Sequence, residues 1–341
     1  MAAGYARALK RVPGVEAREW YLWPRLQFWH VGSRAWGREL RANARHQGAT
    51  TKRTDFVLDK WGVTLKASLD AVEEALRFNA DWVVIICGIG FHPDAVVFLR
   101  RAGRRVAAIF TENPYADENA AQFASVCDRV FVNDRTSLRA VPGSIYLPTA
   151  YDQEIHRPGA AEPLEPCDVR FIGTGFKERV RLLSRVNWDG VDLRIRGFWP
   201  AARNTSIWPH VGGGEFRLTP NEEARGYYAG AKINLNLYRH DGPPAESMNP
   251  RAYELAAMRL FSLHEDARPE TREVFGNSVG YFDRASPANL QAQVMRYLNA
   301  ADGLRERMAQ ESWEKVQGHH YDARTASLLA GIDSPVRLAV V

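Results

Sequence analysis

At 341 residues the chain is long enough for two domains and too long for a single small module. Hydrophobic residues at 45% and charged residues at 25% exclude a disordered protein. The formal charge is only +5, but residues 1–60 hold twelve Lys/Arg against five Asp/Glu, so that segment carries +7 and the rest is slightly acidic.

The opening stretch MAAGYARALKRVPGVEA has no apolar h-region, so no signal peptide is expected. A first strand is expected at either Glu19–Trp23 or Gln27–Val31, between which the sequence does not decide. Helices follow at Arg34–Gln47 and Leu65–Phe78, then a strand at Trp82–Cys87. The apolar run Trp82–Phe91 is about half of what a membrane-spanning helix requires. Next come a helix at Pro93–Ala102, strands at Val106–Thr111, Arg129–Asn133 and Ser144–Leu147, and a short helix at Asn119–Ser125. The proline-rich stretch Pro148–Cys167 reads as an interdomain linker.

The pattern then restarts. Strands are expected at Val169–Ile172, Leu193–Arg196, Ile233–Leu237, Leu260–Leu263 and Gly280–Phe282. The helices are Glu178–Val186, Asn221–Gly230, Asn249–Met258, Pro269–Phe275, Pro287–Ala300 and Asp302–Gln317. Val- and Ile-rich strands alternating with helices indicate parallel βαβ units, hence α/β architecture with two successive doubly wound halves facing a cleft. The expected division is 1–150, 151–320, and a segment 321–341 returning to the first half. Cys87, Cys127 and Cys167 are odd in number and far apart, which argues against a disulfide framework or zinc site and for the cytoplasm.

The basic N-terminal segment is also aromatic, with Trp20, Tyr21, Trp23, Phe28, Trp29 and Trp36. Cations among flat rings suit a nucleic acid or other anionic polymer, with Trp29 and Arg34 as contacts. A membrane surface competes, as does a solvated basic face over an aromatic core.

Ligands of such folds bind beyond the carboxyl ends of strands, near helix N-termini. The loop Gly173-Thr174-Gly175-Phe176 ends a strand and leads into Lys177 and Arg179, which can neutralise phosphate oxygens. It is neither a Walker A sequence nor a full GxGxxG, and a plain tight turn also explains it. Farther on, Asn249 and Pro250 make an N-cap and a first helical turn. Free amides near Ser247–Arg251 suit a diphosphate, Glu254 a ribose diol, and Glu246 a sugar hydroxyl. In the first half, Glu112 or Asp117 stands at a strand end where it can orient or deprotonate an acceptor, and His92 is a further rim candidate. A polar turn and a packing or capping histidine are the alternative explanations. His319 and His320 read as structural.

Glu246 and Glu254, with seven residues between them across a loop and helix start, resemble the EX7E motif of GT-B retaining glycosyltransferases. Within that superfold the chain is similar to the spore-maturation CgeB-like group. The likeness is carried by FIGTG…KER, INLNLY and RAYELAAMRLFSLHED, and continues through Gly280-Tyr281-Phe282-Asp283 to His320-Tyr321-Asp322-Ala323-Arg324. It covers about residues 168–330 well and the first half in outline. Where the family has a glycine after the E-x-A-A-x stretch, this chain has Arg259.

The resemblance implies transfer of a sugar from a nucleotide sugar, such as a UDP-sugar, to an acceptor hydroxyl with retention. It implies donor contacts at Gly173, Thr174, Gly175, Asn236, Tyr238, Ser247, Met248, Asn249, Arg251 and Glu254. Lys177, Arg179, Glu246 and Glu112 would be catalytic, with His92, Asp117, Trp29 and Arg34 on the acceptor side. No DxD motif occurs, so cationic side chains rather than a metal are expected, and no cofactor. Modified DNA is the sharpest expectation for the acceptor. A nucleotide-sugar epimerase of related fold and a non-catalytic nucleic-acid-binding protein are the competing readings.

Overall fold

The computed structural model describes residues 1–212, 219–332 and 337–341. In chain order the first elements are α1 (Ala2–Lys10), β1 (Glu16–Glu19), α2 (Leu22–His46), α3 (Lys60–Arg77), β2 (Trp82–Ile86), α4 (Pro93–Arg101) and β3 (Arg105–Phe110). They are followed by α5 (Asp117–Ala124), β4 (Arg129–Val132), α6 (Ser137–Ala140) and β5 (Ile145–Tyr146). The next run is β6 (Cys167–Ile172), α7 (Lys177–Leu183), β7 (Leu193–Arg196), α8 (Asn221–Ala229), β8 (Ala231–Asn236), α9 (Pro250–Ala257) and β9 (Ser262–Glu265). The last is α10 (Pro269–Phe275), β10 (Gly280–Phe282), α11 (Pro287–Leu298), α12 (Leu304–Val316), α13 (Tyr321–Gly331) and β11 (Arg337–Val340).

These form two compact units, 1–147 with 325–341, and 148–324. The first unit's sheet runs β1-β11-β2-β3-β4-β5, every pair parallel, with β11 between β1 and β2. Its central strands are buried on both faces: Val83, Ile85, Val106, Ala108, Phe110, Val130 and Val132 pack against Ala71, Val72 and Ala75 of α3 and Val96 and Leu99 of α4. The second unit's parallel sheet runs β10-β9-β8-β6-β7 around Phe171, Leu193, Ile195, Ile233, Leu235, Leu263 and Phe282.

Three expectations are corrected. The segment 27–31 is not a strand but part of the 25-residue helix α2, and the first strand lies earlier, at Glu16–Glu19. Its Trp, Phe and Val residues mimic strand composition, but the helix that contains them is anchored to α3 and the segment before it. Arg25 pairs with Asp70 at 2.6 Å, Trp29 donates Nε1–H to the same carboxylate at 2.8 Å, and Arg41 reaches the Asp55 carbonyl at 2.7 Å. Second, residues 148–166 are folded into the second unit: Tyr151 bridges to His320, and Thr149 Oγ1 donates to the Met248 carbonyl. Third, β9 begins at Ser262, two residues later than expected, because a left-handed turn at Arg259 intervenes. There Arg259 N–H bonds the Ala256 carbonyl and Leu260 N–H the Leu255 carbonyl, a Schellman closure with φ +56° at Arg259, the position glycine favours. Among the described residues no helix is long and apolar enough to cross a membrane.

Candidate functional site

In the second unit β6 is followed by β7 on one side and, after α8, by β8 on the other. The order of the sheet therefore reverses between β6 and β8, where a doubly wound sheet opens a crevice at its carboxyl edge. A cavity of about 310 Å3 lies there. Its walls include Gly173 and Thr174 after β6, Gly197 after β7, Asn221 and Tyr228 of α8, and Asn249, Arg251 and Glu254 around the start of α9. His156 and Arg179 complete it.

Local sequence accounts for this shape. Asn249 caps α9 by accepting the Ala252 N–H at 3.1 Å, and Pro250 occupies the first helical turn, where no N–H is needed. Gly197 sits at φ +119°, and a Cβ there would run into the Gly173 carbonyl oxygen. A Cβ on Gly173 itself would come within 2.8 Å of Arg251 Nη2, so the missing side chain lets the guanidinium lie on the cavity wall. Gly175 serves packing instead, since its open side is filled by the Trp199 indole.

Hydrogen bonds fix the place of both cations. Arg251 donates Nε–H to Tyr228 Oη at 3.2 Å and Nη1–H to Asn236 Oδ1 at 3.3 Å. Arg179, 7% exposed, donates to the carbonyls of Thr174 and Leu237 and so ties the β6 loop to the end of β8. The two bonds of Arg251 go to uncharged groups and leave its guanidinium on the cavity wall, where it can meet an anion.

Beneath Arg251 runs a buried polar chain. Asn236 Oδ1 accepts from Arg251 and from Asn249 Nδ2 at 2.9 Å, which fixes the amide so that Nδ2–H donates to His264 Nδ1 at 3.2 Å. His264 then carries its proton on Nε2, 2.8 Å from Ser262 Oγ. Burial, helped by the Arg251 charge, pushes the His264 pKa down to about 3, so the ring is neutral. At the end of β9, Glu265 is raised to about 7 by burial, although it accepts the Tyr238 N–H at 3.0 Å. His240 Nε2 and Arg284 Nη1 also face it.

Of the expected donor residues, Gly173, Thr174, Asn249, Arg251 and Glu254 line the cavity, with Arg179 from the expected catalytic group. Asn236 lies underneath it. Tyr238 is turned away, its hydroxyl bonded to Thr271 at 2.6 Å, and Met248 is buried with its N–H on Glu270 at 2.6 Å. Ser247 is buried, Lys177 and Glu246 are exposed, and none of the three lines the cavity.

His156 was hidden from the sequence reading, which treated its segment as linker. It is buried, accepts the Asp152 N–H on Nδ1 at 3.2 Å, and presents Nε2–H 4.0 Å from Glu254 Oε1. Tyr228 and Asn221 were likewise unmarked. Their helix was expected, but nothing local signals which face meets β6.

In the first unit His92 caps α4, accepting the Asp94 N–H at 3.1 Å, and packs on Trp61. Asp117 accepts from Asn113 Nδ2 at 2.6 Å and Ser137 Oγ at 2.7 Å. Trp29 is committed to Asp70, whereas Arg34 and Glu112 are exposed. At the carboxyl ends of β2 and β11, where this sheet's order reverses, lies an apolar cavity of about 190 Å3.

Residues 177–330 match a family described as glycosyl transferase-like. No curated protein matches the chain. Among solved structures, sucrose-phosphate synthase from Thermosynechococcus elongatus is similar at TM-score 0.55 and 12% identity, covering 80% of this chain and 79% of that one. A trehalose-6-phosphate synthase gives TM-score 0.56 at 11% identity, covering 82% and 78%. A putative UDP-N-acetylglucosamine 2-epimerase from Listeria monocytogenes gives 0.54 at 12%, covering 81% and 80%. The two parallel α/β units have the GT-B fold that these neighbours share.

Proposed function

We propose that the chain is a glycosyltransferase whose second unit binds a nucleotide-sugar donor. One observation carries the reading: a cavity at the β6/β8 switch point sets Arg251 and Arg179 beside the start of α9, with the Glu254 carboxylate on its wall. Cations suit a diphosphate, and a carboxylate suits the vicinal hydroxyls of a ribose. The family match over residues 177–330 supports it, since it spans α7 to α13 and most of the cavity wall.

In the reaction so proposed, the bond between the anomeric carbon and the diphosphate oxygen breaks, and its electron pair stays on the phosphate. Arg251 Nη2 and the charge of Arg179 stabilise that oxygen as it gains charge. The acceptor oxygen bonds the anomeric carbon from the same face, and its proton passes to the leaving phosphate. Retention and independence from a metal belong to this proposal, on the EX7E likeness and the lack of a DxD sequence. Lys177 and Glu246 do not line this cavity.

His156 acts as a positioning residue in this scheme. Its Nδ1 is occupied by the Asp152 N–H, which leaves Nε2–H on the side of Glu254, 4.0 Å from Oε1, close enough to tighten onto the carboxylate when a donor binds.

The test is calorimetric titration with UDP-sugars, followed by an assay for transfer and donor hydrolysis. Glu254→Ala is expected to weaken nucleotide binding tenfold to a hundredfold, the worth of hydrogen bonds to a charged group. Unchanged affinity would reject the site. Acceptor-free epimerisation of a bound sugar would replace transfer by the epimerase reading.

A further inference from the structure

The long helix α2 presents Trp23, Phe28, Val31 and Trp36 to solvent. Its inward side is Ser33, Gly37 and Arg41, all buried. Its outward side carries the exposed Pro24, Phe28 and Val31 and the half-buried Ala35, whose spacing of four, three and four residues makes one stripe along the helix. Trp23 and Trp36 flank that stripe at 67% and 68% exposure, and Val31 is 64% exposed. At about 37 Å, the helix is as long as a small domain is wide. It holds five arginines and one glutamate, and Arg34 and Arg38 stand exposed beside the stripe. The apolar surface continues from Trp23 into the cavity at the ends of β2 and β11, whose wall includes Leu26, Ile86, Phe91 and the exposed Ile89.

We infer that the outward face of α2 docks on an anionic lipid bilayer. Apolar patches of this extent are rarely left bare on a soluble chain. A basic amphipathic helix bearing Trp, Phe and aliphatic residues suits the headgroup boundary, with rings at the interface and arginines on anionic lipid. Single-stranded nucleic acid fits less well. Val31, Ala35 and Ile89 have no ring to stack on a base, and the Phe28 ring is already covered by the Arg25 guanidinium at 4.7 Å. A second copy of the chain would bring the same arginines together. The apolar cavity beyond Trp23 extends the same apolar surface toward the ends of β2 and β11. This inference does not depend on the donor reading.

The test is co-sedimentation of the whole chain with vesicles of phosphatidylglycerol and phosphatidylcholine in equal parts, against phosphatidylcholine alone. Binding is expected to the anionic vesicles and to fall with salt. Arg34→Ala with Arg38→Ala should lower partitioning about 25-fold, about fivefold for each cation. Trp23→Ser, Phe28→Ser and Trp36→Ser together should abolish it with helix content and thermal midpoint unchanged, which shows the fold is intact. No binding to anionic vesicles at low salt would overturn the inference. So would binding indifferent to the triple substitution, or capture of a single-stranded oligonucleotide through these side chains with the vesicles left free.

Discussion

Asn236→Leu isolates what the buried polar chain does for the cavity. The side chain is fully buried and makes three hydrogen bonds, accepting from Asn249 and Arg251 and donating to His264. Leucine fills nearly the same volume, so little of the loss is packing. Asn249 and Arg251 stand at the cavity and recover water, whereas His264 Nδ1 is sealed and becomes an acceptor without a donor. Leaving one such group unsatisfied costs about 1–3 kcal/mol, and two weakened polar contacts add about 1 kcal/mol more, for a total of about 3 kcal/mol. For a unit of this size that lowers the thermal midpoint by about 6–12 °C, read by scanning calorimetry as the second unit's transition. Adding His264→Phe removes the stranded acceptor and should restore about 1–2 kcal/mol. Because Arg251 loses an anchor, nucleotide affinity should fall about tenfold. A midpoint within about 2 °C of the parent, or no recovery in the double variant, would refute the reasoning.

Two further outcomes follow from neighbouring residues. Arg259→Gly relieves a left-handed backbone at the end of α9 at the loss of a 3.4 Å contact to Gln310; it should raise stability by about 0.5–1 kcal/mol in a denaturant titration, and a decrease would count against strain at that turn. Glu265 holds its proton up to about pH 7, against 4.5 ordinarily, so the fold binds that proton more tightly than the unfolded chain does. Its contribution is full below pH 4.5 and is lost as pH rises through 7, on the order of 3 kcal/mol, with Arg268, Arg284 and His240 tempering it. Glu265→Gln should therefore gain thermal stability over the parent between about pH 5 and about pH 8, and a pH-independent difference between the two would contradict this.

The sequence was most readable where burial and periodicity agree. Leu193–Arg196, Gly280–Phe282 and Pro269–Phe275 have the bounds expected of them, since each is a short buried run or a helix opened by proline. It was least readable at α2, where the usual rule inverts. Small and polar residues face inward there, Gly37 so closely that a Cβ would meet the Phe56 carbonyl at 2.8 Å, and Trp23, Phe28 and Trp36 face out. In the cavity, Gly173, Asn249, Arg251 and Glu254 were visible because a loop or cap announces each one. His156 and His264 were not, because their positions are set by partners distant in sequence, Glu254 and Asn236. Lys177 and Glu246 show the converse. They have the right chemistry in the right segments, but their side chains extend into solvent, which local sequence does not encode.

The placement of β11 bears on the order in which a ribosome-made chain acquires its structure. Residues 148–324 form a continuous stretch and hold all five strands of their sheet, so that unit is able to fold while the chain is still emerging. The first-made unit is not. Its strands β1 and β2 are joined only through β11, and until residue 340 has been synthesised they present facing unpaired edges across a vacant strand position. A nascent chain would therefore close its later half before its earlier one, with the opening 147 residues awaiting their last partner.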